Sequence, residues 1–351
     1  MNDYDAILFL SFGGPEGMDD VMPFLENVLR GKNVPQSRML EVAHHYERFE
    51  GVSPINGQNR LLIEGLKREL DSRSIKLPVY WGNRNWHPML ADTLKTMKAD
   101  GVKRAIVFVT SAYSSYSGCR QYREDIEKAQ IAAEVGDIDF AKLRVFYNHP
   151  LFVEANIEAV KAGLEQFAPA AQKDVHVAFT AHSIPMAMAD NCDYVKQLSE
   201  TCELTAKALS ISNYKLVFQS RSGPPTQPWL EPDVLDYMRE LNGRGVSNLL
   251  IHPIGFISDH MEILYDLDTE AKELGQELLM QLVRTSTAGT NPKFARMMAD
   301  LVQERLESNN KAERKAIGCY GPAPDVCAPD CCTYTPTRPA HTGTQRPSGP
   351  Q

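Results

Sequence analysis

His182 and Glu262 are the two side chains whose types and settings suit proton transfer and metal contact. His182 lies in Phe179-Thr180-Ala181-His182-Ser183-Ile184-Pro185, just past an apolar run, with Pro185 forcing an irregular turn. Glu262 lies in IHPIGFISDHMEILYDLD, residues 251–268, where a short apolar run ending at Pro253 and Gly255 gives way to helical spacing rich in acids. A neutral imidazole and a carboxylate suit a borderline divalent cation such as Fe²⁺, and both accept protons. Asp266 and Glu270 follow Glu262 at four-residue steps, which makes an acidic ridge along one helix. On a solvated face such a ridge would be unremarked; at the end of a buried strand it turns toward a ligand crevice. Ser183 follows His182 directly and no GxSxG elbow occurs, so Ser-His-Asp hydrolysis is a poor alternative.

A second set is polar and aromatic. Ser53 in GVSPINGQN, and Tyr113, Tyr116 and Tyr122 in SAYSSYSGCRQYRED, would fit an aromatic macrocycle bearing carboxylates, hydroxyls on the acids and rings on the face. Tyr113 and Tyr116 could equally be packing residues. Trp81 and Trp86 in WGNRNWHP read more readily as packing than as cleft lining. The third set is Cys319, Cys327, Cys331 and Cys332, spaced C-x7-C-x3-C-C in a Pro-rich tail. A tail without a core has no structural use for four thiols, and soft thiolates suit either Zn²⁺ or an iron–sulfur cluster.

These residues must be positioned by an alternation of strands and helices. Strands are predicted at 6–12, 79–82, 104–110, 144–147, 175–181, 215–219, 248–253 and 279–284. Helices are predicted at 18–30, 38–49, 55–70, 193–209, 232–241, 260–274 and 292–307. Four strands with intervening helices, then four more, predict an α/β protein of two similar doubly wound, four-stranded parallel-sheet domains facing each other across a cleft. The divisions are 1–149 for the first lobe, 150–291 for the second lobe carrying His182 and Glu262, 292–310 for a C-terminal helix and 311–351 for a Cys- and Pro-rich extension without regular structure. Gly13-Gly14-Pro15 lacks the GxGxxG pattern, so its glycines serve a tight turn or close backbone approach.

A chain of 351 residues is comfortable as two domains, and 43% hydrophobic with 23% charged residues describes a globular protein. The formal net charge of −8 leaves no basic excess for a nucleic-acid partner. MNDYDAILFLSF lacks a positive n-region and is too short to span a bilayer, which predicts a cytoplasmic protein without a transmembrane segment.

TAHSIP around His182, QSRSGPPTQPWLEPDV from Gln219 and PIGFISDHMEILYDLD from Pro253 resemble the ferrochelatase family, and most closely its actinobacterial-type coproporphyrin III enzymes. LSFGGPEG, VSPINGQNR and the cysteine-bearing extension add to the resemblance, which covers about residues 4–310. It implies insertion of Fe²⁺ into a porphyrin, coproporphyrin III in the closest group, in haem biosynthesis. Protoporphyrin IX, another tetrapyrrole or metal, and a non-catalytic two-lobed haem-binding protein are the alternatives. The resemblance also makes His182 and Glu262 the catalytic and metal-handling pair, with Asp266 and Glu270 as further metal contacts. Ser53, Tyr122 and Arg30 become porphyrin contacts, and Phe12 a stacking residue where some relatives place a tyrosine. Many members hold a [2Fe–2S] cluster on one internal and three C-terminal cysteines, which implies Cys119 with Cys319, Cys327 and Cys332, Cys331 competing with Cys332. Cys192 and Cys202 are then bystanders. Transient contact with neighbouring haem-pathway enzymes is compatible with this reading.

Overall fold

The computed structural model describes residues 4–31, 34–224, 226–307 and 313–334. Its first half runs β1 (Ala6–Ser11), α1 (Met18–Leu29), α2 (Gln36–Glu47), α3 (Ile55–Ser72), β2 (Val79–Asn83), α4 (Leu90–Ala99), β3 (Arg104–Val109), α5 (Gln121–Ala133) and β4 (Asp139–Lys142). The second runs α6 (Pro150–Leu164), β5 (His176–His182), α7 (Met186–Ala189), α8 (Tyr194–Ala208), β6 (Tyr214–Gln219), α9 (Val234–Gly243), β7 (Asn248–His252), α10 (Met261–Tyr265), α11 (Lys272–Glu277), β8 (Gln281–Arg284) and α12 (Pro292–Leu306). All pairings are parallel, in the orders β2-β1-β3-β4 and β6-β5-β7-β8. The two halves thus share one winding. In each, the chain steps outward to one side of its first strand and then crosses to the other, so the order reverses between β1 and β3 and between β5 and β7.

Strand residues are apolar on both faces because both faces are covered. Along β1, Ile7 and Phe9 point into a core shared by the two halves, whereas Ala6, Leu8 and Leu10 pack with Leu94, Met97 and Ile126 of α4 and α5. In the second sheet, Val177, Phe179 and Ala181 join the shared core and Ala178 turns the other way, toward Met238 and Leu241 of α9. A run of rings makes the seam: Phe9 lies 5.6 Å from Phe108, Phe108 5.4 Å from Phe146, and Phe146 5.6 Å from Phe152 and 5.8 Å from Phe294. Through Phe294, α12 returns from the end of the second half to pack on the first. Gly65 of α3 permits this, since a Cβ there would lie 2.9 Å from that of Ala295.

Seven of the eight expected strands lie where expected to within two residues. The fourth does not: 144–147 is not a strand, and the edge strand is Asp139–Lys142. Val145, Phe146 and Tyr147 are apolar because the chain passes through the shared core there, while the strand itself is an edge with a weakly apolar DFAK sequence. The expected 260–274 helix is also divided, into α10, a π-helical stretch Asp266–Ala271 and α11. Residues 308–310 of the expected C-terminal helix, with 311–312 and 335–351 of the extension, lie outside the described residues.

Because Phe294 is fully buried where three elements meet, Phe294→Ala should lose about 3–5 kcal/mol of stability. Urea denaturation measures this; a loss under about 1 kcal/mol would mean that the seam does not join α12 to the first sheet.

Candidate active site

His182 is the last residue of β5, and Glu262 is the second residue of the helix that follows β7. The two therefore flank the point at which the second sheet reverses its order, where open α/β sheets bind ligands. The connection between them is tight. Gly255 N–H donates to the Thr180 carbonyl at 3.0 Å, and a Cβ on Gly255 would lie 2.7 Å from the Ala181 Cα, so only glycine lets the β7 exit pass so near His182. The result is an imidazole Nε2 at 3.4 Å from a Glu262 carboxylate oxygen.

The other ring nitrogen of His182, Nδ1, is 2.5 Å from the Ser183 carbonyl, so Nδ1 carries a proton and Nε2 faces the carboxylate. Burial alone would depress the His182 pKa, but the charge and hydrogen bond of Glu262, with the Ser183 carbonyl and Asp266, raise it to about 9. The imidazole keeps 32% of its side-chain surface open, so solvent screens part of this attraction.

Glu262 has a second imidazole neighbour that the sequence analysis did not single out. His260 Nδ1 accepts from the Glu262 backbone N–H at 3.1 Å, capping α10, and lies 3.9 Å from the other carboxylate oxygen. Burial lowers the His260 pKa, which keeps that ring neutral. Its position two residues before Glu262, at a helix start, was the available signal.

Asp266, at the start of the π-helical stretch, accepts from the Ser220 hydroxyl and, at 3.3 Å, from the Gln219 amide; both donors sit at the end of β6. Burial, reinforced by Glu262 and Glu270 against those donors, brings Asp266 up to about 7. Burial also raises the pKa of Glu270, on the far side of Asp266 from Glu262. The ridge thus passes from a carboxylate facing an imidazolium to acids whose pKa burial raises.

The first half supplies the opposite wall. Gly13 takes φ +82°, turning the chain after β1, and a Cβ on Gly14 would lie 2.8 Å from that of Ser53, which is why the glycines stand there. Ser53 is buried at this contact. Phe12 is 36% exposed and meets Phe24 edge-on at 6.3 Å. Phe24 with Val21, Leu25 and Tyr46 packs on Met261, the residue before Glu262, so α1 and α2 close against the start of α10. His45 of α2 stacks on Tyr265 at 3.5 Å, a second bridge across the halves. Tyr122 is buried with the Arg84 guanidinium 4.5 Å above its ring and 5.7 Å from the Phe12 ring, which makes Arg84 a cation between two expected porphyrin contacts. Arg30 is exposed just beyond α1 and donates to the Asn27 side-chain oxygen at 2.5 Å. Tyr113 is fully enclosed, donating to the Ile254 carbonyl, and Trp86 packs on Phe24; both are packing residues.

The thiols divide differently from the expected set. Cys119 lies beside Cys327, a pairing that holds the Cys119 thiol down and pushes the Cys327 thiol up, with Lys142 and Arg123 helping at Cys119. The Cys331 and Cys332 sulfurs are 3.3 Å apart, and Cys332 is buried near Cys119 and Cys192. Cys319 does not join them. It is exposed beside Glu200, which accepts from its backbone N–H, because Gly318 at φ +87° presses against the Glu200 carboxylate and fixes the tail there. Cys202 is buried in the core as expected, but Cys192 lies beside the tail thiols. Among the described residues, no three His, Cys, Asp or Glu side chains converge tightly enough to hold a single metal ion.

Twin parallel sheets with an acid–base pair at the switch point define a two-lobed α/β protein of the chelatase fold. Two solved structures of the sirohydrochlorin chelatase SirB from Bacillus subtilis share that fold. The one with Fe³⁺ has a TM-score of 0.55 at 12% identity, covering 87% of this chain and 97% of its own. The cobalt complex has a TM-score of 0.52 at 12% identity, covering 88% and 97%. The chain belongs to the ferrochelatase family, whose model matches residues 4–306. It is 56% identical to a ferrochelatase of Rhodopirellula baltica over 97% of this chain and 96% of that one. It is 49% identical to a coproporphyrin III ferrochelatase of Nocardia farcinica over 97% and 99%. Among the described residues no helix is long and apolar enough to cross a membrane.

Glu262→Gln removes the charge that lifts His182, so the imidazole pKa should fall from about 9 to below the ordinary 6.5. NMR titration of the ring protons reads this directly, and a value still near 9 would assign the lift to Ser183 and Asp266. The sign for stability follows: with the folded pKa raised, the pair stabilises fully below pH 6.5, and that contribution is lost as pH rises through about 9.

Proposed function

We propose that the protein inserts Fe²⁺ into coproporphyrin III, releasing two pyrrole protons and forming the iron porphyrin, in the cytoplasm as a step of haem synthesis. The observation that carries the reading is the His182–Glu262 pair at 3.4 Å, in a chain whose full-length relatives bear that name. A flat porphyrin keeps its nitrogen lone pairs in the ring plane and two protons at its centre. Metal entry therefore needs ring distortion and a base, and lobes gripping the rim can supply the distortion from binding energy.

In the free enzyme at neutral pH the pair is an imidazolium beside a carboxylate. An approaching Fe²⁺ disfavours the imidazolium, whose Nε2 proton passes to Glu262; His182 is then free to accept a pyrrole proton or to face the metal. Asp266, held up near 7, takes protons from Glu262 and gives them to solvent at little cost in either direction. The porphyrin carboxylates would be met from the first lobe by Ser53 and Tyr122, and by Arg30 at the rim, while Arg84, paired with Asp125 at 2.5 Å, holds the Tyr122 ring. Phe12, which has no hydroxyl, can only stack. The lobes are read as 1–149 and 150–291, an assignment supported by α6 starting at Pro150 with His149 as its cap.

A [2Fe–2S] cluster is the cofactor this reading assigns to the thiols. Two irons take two thiolates each, so two pairs of close sulfurs suit it better than a single Zn²⁺, which needs one convergent tetrad. Cys119 with Cys327, and Cys331 with Cys332, are such pairs, and the depressed Cys119 pKa favours the thiolate that iron requires. The cluster would supply a one-electron centre or a structural staple.

His182→Ala should lower anaerobic iron insertion at least about a thousandfold while porphyrin binding, read by fluorescence, changes less than about threefold; retained turnover removes His182 from the chemistry. Coproporphyrin III should be metallated with higher kcat/KM than protoporphyrin IX in the same assay, and the reverse order would move the substrate assignment. Cys331→Ser should abolish the visible absorption of anaerobically purified protein and Cys319→Ser should leave it; the opposite result restores Cys319 as the ligand.

A further inference from the structure

The tail carries three of the paired thiols, and besides the sulfur contacts the described part of it is seated on the body by bonds that involve no sulfur. Between residues 313 and 325 these are charge and backbone bonds. Arg144 donates to the Lys315 carbonyl at 2.9 Å, Ile317 N–H to the Asn148 carbonyl at 2.9 Å, and Asn148 to the Gly321 carbonyl at 2.7 Å; Arg305 pairs with Asp325 at 3.4 Å. Between residues 327 and 332 the anchor is a different group. Cys331 N–H bonds to the Ala328 carbonyl at 3.0 Å, which closes a turn, and Cys332 follows at φ +54°, a left-handed conformation rare for a side-chain-bearing residue. The outward carbonyls of that turn meet Arg120.

Arg120 Nη1 donates to the Pro329 carbonyl at 2.7 Å and to the Cys331 carbonyl at 3.1 Å. Its Nε donates to Glu124 at 3.1 Å, and Glu124 accepts from the Tyr116 hydroxyl at 2.9 Å as well, so the guanidinium is aimed before the tail reaches it. Arg120 follows Cys119 directly, on the π-helical turn Tyr116–Arg120. One turn thus presents the internal thiol and the fork that grips the loop bearing the other three. Tyr116, at its start, lies 5.8 Å from the ring of Tyr334 and closes the far side.

We propose that Arg120 is the positioning residue of the thiol site: its fork docks the 327–332 turn on Cys119, so the four sulfurs are gathered by protein contacts before iron or sulfide arrives. This deepens the cluster reading and rests on it. Nη1 meets both carbonyls while Nε holds Glu124, a division between two nitrogens that a lysine ammonium cannot reproduce, so lysine should serve only in part.

The test uses the full chain, purified metal-free under reduction and labelled with a maleimide, with each cysteine followed by peptide mass spectrometry. Exposed Cys319 is the internal standard. In the native sequence Cys332 should label at least tenfold more slowly than Cys319. In Arg120→Ala it should label about as fast as Cys319, with Arg120→Lys between. Protease cuts in Arg120→Ala should fall after residue 326 and not before, since the 313–325 anchors remain. The proposal is overturned if Arg120→Ala protects Cys332 as well as the native chain does, or if Cys332 of the metal-free native chain labels as fast as Cys319. Reconstitution with Fe²⁺ and sulfide separates the underlying reading. A native chain that gains no visible absorption defeats the cluster assignment, whereas the labelling still decides the docking. With a cluster-competent native chain, Arg120→Ala should take up about tenfold less.

Discussion

Everything at the centre of this protein depends on a single close approach between an imidazole at the end of one strand and a carboxylate on the helix that follows its neighbour. Separately, a histidine at a strand end and a glutamate at a helix start are common. Brought to 3.4 Å they hold one proton between them at a pH where neither alone would. The approach exists because β5 and β7 are neighbours and because Gly255 lets the β7 exit touch the Ala181 backbone. The parallel sheet is therefore part of the chemistry: it fixes the donor–acceptor distance through backbone pairing that a ligand cannot easily deform.

Around that pair, acidity is graded by burial and by local donors. His260 is kept neutral by its surroundings, Glu262 faces an imidazolium, and Asp266 is raised by burial but restrained by Ser220 and Gln219. Ser220 reaches Asp266 from φ +62°, a left-handed conformation that a serine adopts only where the neighbouring structure enforces it. The π-helical stretch then carries the ridge outward.

The two halves are not independent shells around a cleft. Their first-wound sheets share one core, α12 returns from the second half to the first, and α2 bridges to the helix of Glu262 through His45 and Tyr265. The tail repeats the principle at the opposite end of Arg144 and Arg120, where carboxylates and carbonyls order a segment that has little apolar surface of its own.

Much of this was legible in the residues. Continuous apolar runs separated by helical spacing located seven of eight strands, because strands covered on both faces must be apolar throughout; His182 stood at the end of one and Glu262 on the helix after another, and motif resemblance named the family. Where burial and pairing part company the pattern failed. Residues 144–147 are apolar through passage across the shared core, and the true edge strand DFAK has almost no apolar signal. Tertiary structure alone decided what depends on distances between segments far apart in the chain: that Arg84 lies between Phe12 and Tyr122, that His260 joins the pair, and that Cys327 stands with Cys119 while Cys319 is held at Glu200. Spacing along a tail carries no such information, because a segment without periodic structure takes its path from the carbonyls, guanidinium groups and carboxylates of the surface on which it lies.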